Sequence, residues 1–180
     1  AVSVPEVQLA GEWSTAYDFV VRGRDAAGHV EPLPRETTHV RTPRWAFPVT
    51  VTGAGTTSLF AGLDAGATPG EDAGLDEPMA PAARTPRNGA GTIAFTLPGS
   101  PATRLRYDVQ PDTVPAEWLL VAEPGDDPIT LQWDPAGVPD GRHMHWVRLD
   151  NQDDPVPETF VELRETSRTS LETQGRYRLG

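Results

Sequence analysis

The sequence predicts an all-β protein, an antiparallel β-sandwich with additional strands on its N-terminal side. Two observations carry that prediction. Nineteen prolines and seventeen glycines are scattered without period along 180 residues, which disfavours long helices and favours short strands between turns. Apolar residues also recur at every second position in many short runs, the period of a strand with one buried face. The length suits one substantial core or two small cores packed together.

In chain order, Tyr17, Phe19 and Val21 alternate as a first strand, the turn 25–28 follows, and Val30 to Leu33 is its expected partner. Residues 34–44 are polar, with Thr37, Thr38 and Val40 at strand positions and Pro43 interrupting, which makes this an edge strand at best. Phe47, Val49 and Val51 alternate with Pro48, Thr50 and Thr52, and Gly53-Ala54-Gly55 turns the chain into Thr57 to Leu63 as a hairpin. From Gly66 to Gly91 periodicity vanishes and Gly, Pro and Ala dominate, the composition of a linker or long ordered loop. The domain reading is therefore an N-terminal β portion over 1–65, a Gly/Pro/Asp-rich connection over 66–91 and a sandwich over 92–180.

After Gly91 the strand signal is strong. Ile93, Phe95 and Leu97 alternate with Thr92, Ala94 and Thr96, and Leu105, Tyr107 and Val109 alternate with Arg104, Arg106 and Asp108, each predicting one wet face. Trp118 to Val121 is continuously apolar, as expected of a strand covered on both sides. Ile129, Leu131 and Trp133 form the next strand, and Asp134-Pro135 and Pro139-Asp140-Gly141 supply turn residues that would close an antiparallel pair with 143–149. In that second strand either Met144 and Trp146 face inward, or His143, His145 and Val147 do, since one slip exchanges the faces. Phe160 to Arg164 and Arg176 to Leu179 complete the set, with Leu171 in a short strand or turn between them.

Composition narrows the function classes. The formal net charge is −11 and all fifteen basic residues are arginine; an acidic surface repels phosphate backbones and anionic lipid, which disfavours nucleic-acid and membrane-surface roles. No run approaches the ~20 apolar residues of a membrane span, so membrane insertion is not expected. With no cysteine, disulfides and thiol catalysis are excluded. The start at Ala1-Val2-Ser3, without methionine, suits a mature secreted protein or a trimmed chain.

The second half resembles an immunoglobulin- or fibronectin-like module of secreted bacterial surface and multidomain proteins. The likeness rests on Trp133-Asp134, Val138-Pro139-Asp140-Gly141, Asp150, Leu163-Arg164 and Tyr177, with Gly70-Glu71-Asp72 and Leu75-Asp76-Glu77-Pro78 similar to an aspartate-rich connection before the sandwich. It covers roughly Thr57 to Leu179 and departs from the pattern at His143-Met144-His145-Trp146 and in the longer acidic turn 151–156. The resemblance implies a non-catalytic architectural module, secreted or at the cell surface, and it brings no catalytic residues.

Four constellations are candidate sites. Residues Ala1 to Gly11, with Val2, Val4, Val7 and Leu9 at strand positions, form a candidate assembly strand that could pair with an open sheet edge of a neighbouring copy and build a filament. Glu71, Asp72, Asp76 and Glu77, and separately Asp150, Asp153 and Asp154, cluster hard oxygen donors of the kind calcium takes, about 6 to 8 per ion. His143 and His145 have the two-residue spacing of strand metal ligands, without an identifiable third partner. Trp13 and Trp45, outside clean strand patterns, are candidate stacking platforms for polysaccharide, in which case the chain would be an accessory carbohydrate-binding module of a secreted enzyme. No nucleophile elbow, zinc-protease, phosphate-loop or dinucleotide motif is present, and no catalytic residue is expected.

Overall fold

The computed structural model describes residues 15–19, 27–29, 38–79, 89–112 and 115–180. The fold is all-β. Strand β1 (Ala16–Phe19) pairs antiparallel with β2 (Thr38–Arg41) as a two-stranded sheet. The polar segment before Pro43 therefore supplies a partner of the first strand; Val30 to Leu33 lies outside the described residues.

The remaining strands form one sheet. In chain order they are β3 (Trp45–Thr52), β4 (Ser58–Asp64), β5 (Glu77–Pro78), β6 (Thr92–Leu97), β7 (Ser100–Pro111), β8 (Trp118–Glu123), β9 (Ile129–Gln132), β10 (His145–Leu149), β11 (Val161–Glu162), β12 (Arg168–Leu171) and β13 (Gly175–Leu179). Their spatial order is β11-β10-β13-β8-β6-β7-β4-β3-β9-β12, with β5 also on β7. The two ends of this order, β11 and β12, are joined in sequence by residues 163–167 alone. The sheet consequently curls back on itself as a nearly closed barrel.

The hairpin β3–β4 has the expected pairing, from Trp45 opposite Leu63 to Thr50 opposite Ser58. Its turn needs a glycine: Gly53 has φ of 82°, and a Cβ there would meet the Pro128 carbonyl oxygen. Both strands lie in the same sheet as the strands after Gly91, and Phe47, Leu59 and Leu63 share one apolar core with Phe95, Leu120, Leu131 and Leu179.

Three local expectations are corrected. First, the sheet is mixed, because β4 and β7 run parallel, from Phe60 opposite Tyr107 to Asp64 opposite Pro111. The stretch between them, which includes all of 66–91, is long enough for the crossover that parallel pairing demands. Second, β9 and β10 do not form a hairpin: β9 pairs with β3 and β12, and β10 with β13 and β11. Asp134 caps a 3-10 turn at Pro135–Gly137 by accepting from the Ala136 N–H at 2.9 Å, and the chain then crosses to the other end of the sheet, burying Val138 on the way. Third, the predicted wet faces of β6 and β7 are covered in part. Ala94, Thr96 and Asp108 are buried while Thr92, Arg104 and Arg106 stay partly exposed, whereas β8, expected to be covered on both sides, buries Trp118, Leu120 and Ala122 and leaves Leu119 and Val121 half-buried. In β10, Met144 and Trp146 face inward as in the first of the two predicted registers, yet Val147 is buried as well.

Residues 163–167 lock the sheet ends. The Leu163 N–H donates to the Met144 carbonyl at 2.9 Å, its own carbonyl accepts from Trp133 Nε1 at 3.0 Å, and its side chain is fully buried. The Trp133 N–H donates to the Ser167 carbonyl at 3.0 Å. Arg164 reaches across and donates to the carbonyls of Val138 (3.0 Å), Pro139 and Arg142 (3.3 Å). Truncating Leu163→Ala should cost about 2–5 kcal/mol, the range for deleting a buried leucine where neighbours cannot collapse; urea unfolding against the parent chain measures it.

Candidate functional site

The feature with most functional content is the cleft left where the sheet fails to close. Strand β11 is only two residues long, because Pro157–Thr159 form a 3-10 turn just before it and the turn to β12 follows at Leu163. The cleft, of about 340 Å3, lies between Trp146–Arg148, Glu158–Val161 and Thr169–Thr173, with Tyr177 also against it.

The two walls differ in what their backbones offer. On the β10 side the Arg148 N–H donates to Thr159 Oγ1 at 2.9 Å and the Arg148 carbonyl accepts from the Val156 N–H at 2.9 Å, so that wall is satisfied. The Glu162 carbonyl of β11 already accepts from Thr166 Oγ1 at 2.8 Å. On the opposite wall, β12 pairs with β9 from Arg168 opposite Gln132 to Leu171 opposite Ile129. The bond from the Trp133 N–H to the Ser167 carbonyl sets the alternation: Ser167, Thr169 and Leu171 address β9, while Arg168 and Ser170 turn their N–H and C=O the other way. No strand among the described residues pairs with that outer edge.

Two side chains reinforce the picture. Trp146 is 2% exposed, and its buried Nε1 finds no acceptor among the described residues; a buried donor left so costs about 1–3 kcal/mol. Phe160, at the rim, is the large apolar residue that stays exposed among the described residues, at 49%, and its ring lies 4.6 Å from that of His145.

The other predicted residues are placed as follows. Val2, Val4, Val7, Leu9 and Trp13 lie outside the described residues. Trp45 is half-buried, stacked on Phe47 at 5.9 Å and close to Trp118, and its Nε1 donates to the Gly137 carbonyl at 3.1 Å; it braces the core edge and is not a free platform. His143 is exposed ahead of β10, whereas His145 is half-buried, and burial lowers its pKa. No group of three acidic or histidine side chains is placed to hold a metal ion among the described residues.

In both acidic segments carboxylates meet backbone N–H groups or arginines. Asp150 Oδ1 accepts from the N–H groups of Gln152 (2.8 Å) and Asp154 (3.0 Å), and Asp153, at φ 68°, pairs with Arg176. Asp72 accepts from the Thr68 N–H and hydroxyl at 2.6 and 3.0 Å, and Glu77 pairs with Arg106 at 3.4 Å. Asp76 accepts from the N–H groups of Asp72 and Val109, both at 2.7 Å, and so ties the connection to β7.

The sequence reading missed the buried carboxylates beneath this connection. Asp64 is fully buried and paired with Arg41 at 3.0 Å. Asp108, 1% exposed, accepts from Gln110 Nε2 at 2.8 Å. Burial, and next the charge of Asp76, raises the Asp108 pKa to about 7; burial likewise lifts Asp76 to about 6 against the opposing backbone donors, and it raises Tyr107 too. The available signal was a strand ending Asp108-Val109-Gln110, whose polar residues take core positions once a loop lies over them.

No protein-family model, curated protein or solved structure matches this chain. No helix among the described residues is long and apolar enough to cross a membrane.

The raised carboxylates set a pH dependence. Below the unfolded value of 3.8 both states hold the protons. Between there and about 7 the folded chain keeps protons that the unfolded chain releases, so stability falls as pH rises through that window. Asp108→Asn should remove most of this loss, giving about 1–3 kcal/mol more stability than the parent at pH 8 and little difference at pH 4; thermal melts of both proteins across that range provide the check.

Proposed function

We propose that the chain is a non-catalytic, extracellular structural protein that self-associates through its sheet edge, residues 1–11 of one copy docking on another copy to build a surface fibre. The observation that carries this reading is the outward edge of β12 beside an open cleft: main-chain groups of Arg168 and Ser170 turned away from β9, with no strand on them among the described residues. Such an edge is a template for strand addition. Residues 1–11 supply alternating Val2, Val4, Val7 and Leu9. The resemblance to an immunoglobulin- or fibronectin-like sandwich of bacterial surface proteins belongs to the same proposal. What supports it is the all-β fold with one apolar core shared by β3, β4, β6, β8, β9, β10 and β13.

Light scattering and electron microscopy of the purified chain test the proposal. The intact chain should form large ordered polymers above a threshold concentration, and the Val7→Asp, Leu9→Asp double variant should stay monomeric with an unchanged circular dichroism spectrum. A monodisperse intact chain at every concentration would sink it.

A further inference from the structure

Resting on that assembly reading, we propose a specific docking mode: residues 6–10 of a second copy lie parallel to β12 in the cleft, with Glu6 beside Arg168.

The occupant follows from the sequence of residues 1–11. Pro5 has no N–H, and the apolar phase changes there, from even positions at Val2 and Val4 to odd positions at Val7 and Leu9. One strand can therefore use only one of the two runs on a single face. Strand β12 is four residues long, or about 13 Å, which suits the run Glu6-Val7-Gln8-Leu9-Ala10 without Pro5. With Val7 and Leu9 turned to the cleft floor at Trp146 and Leu171, both buried, Glu6, Gln8 and Ala10 face outward.

Charge sets the direction. Glu6 carries the only side-chain charge in residues 1–11. Exposed Arg168 begins β12, while exposed Glu172 follows its end and lines the cleft. A parallel strand puts Glu6 beside Arg168 and uncharged Ala10 beside Glu172; an antiparallel strand would set Glu6 against Glu172. The other rim charges, Arg148 and Glu158, offset each other on the opposite wall.

The test uses the intact chain. Amide hydrogen exchange in dilute and assembled samples should show new protection at Arg168 and Ser170. Ser170→Pro, which removes an outward N–H on an exposed residue, should abolish it. Glu6→Arg should weaken association roughly fivefold, and adding Arg168→Glu should restore it. Assembly without β12 protection, and indifferent to these substitutions, overturns the docking mode and leaves assembly standing. If the intact chain stays monomeric, the assembly reading falls. The peptide AVSVPEVQLAG added in excess then decides the site: protection of Arg168 and Ser170 amides upholds it, and no protection overturns it.

Discussion

The structure depends on how the two ends of one sheet are tied by the turn at Leu163. Its N–H bonds the chain entering β10, its carbonyl is held by the Trp133 indole at the end of β9, and its side chain fills the core between them. Arg164 extends the tie by donating to carbonyls of the crossing segment at Val138, Pro139 and Arg142. A guanidinium can serve several such acceptors because its donors are fixed in one plane. Trp133, Val138 and Leu163-Arg164, far apart in sequence, thus act as one device.

The same tie explains why the sheet stays open. Leu163 stops β11 after two residues, and Pro157 stops it from starting earlier. The wall formed by β10 satisfies its backbone locally, through Val156 and Thr159, whereas β12 is paired on one side only among the described residues. An edge in that condition either meets solvent or meets another strand, and the proposed assembly rests on the second alternative.

A different tension runs through β4 and β7. Parallel pairing needs a long connection, and that connection folds back over the pair, held by Asp76 on the Val109 N–H and by the Arg41 N–H on the Gly74 carbonyl. Covering the strands buries Asp64, Asp108 and Gln110. Among the described residues Asp64 pairs with the Arg41 guanidinium, whereas Asp108 accepts from the Gln110 amide and burial raises its pKa. Asp72, Asp76 and Asp150 of the acidic segments cap and brace the backbone.

Much of the strand content was legible, because alternation of apolar residues reflects burial against a local surface. Phe47-Val49-Val51 and Ile129-Leu131-Trp133 carry that pattern, and both pack inward. Gly53 and Asp134-Pro135 likewise marked breaks that the backbone makes, since their conformational limits are local properties. Pairing was not legible. Whether β9 meets β10 or β12, and whether β4 lies parallel to β7, depends on contacts between segments far apart in sequence that no local pattern encodes. Nor was the burial of Asp108 and Gln110, which follows from a loop closing over a strand that alone would have a wet face. The sequence by itself determined an all-β chain, its turns and most of its inward-facing side chains, through backbone preference and hydrophobic period. Only the tertiary structure decided which edge stays open among the described residues and that Trp146 Nε1 is buried there without an acceptor, because both are defined by what packs nearby.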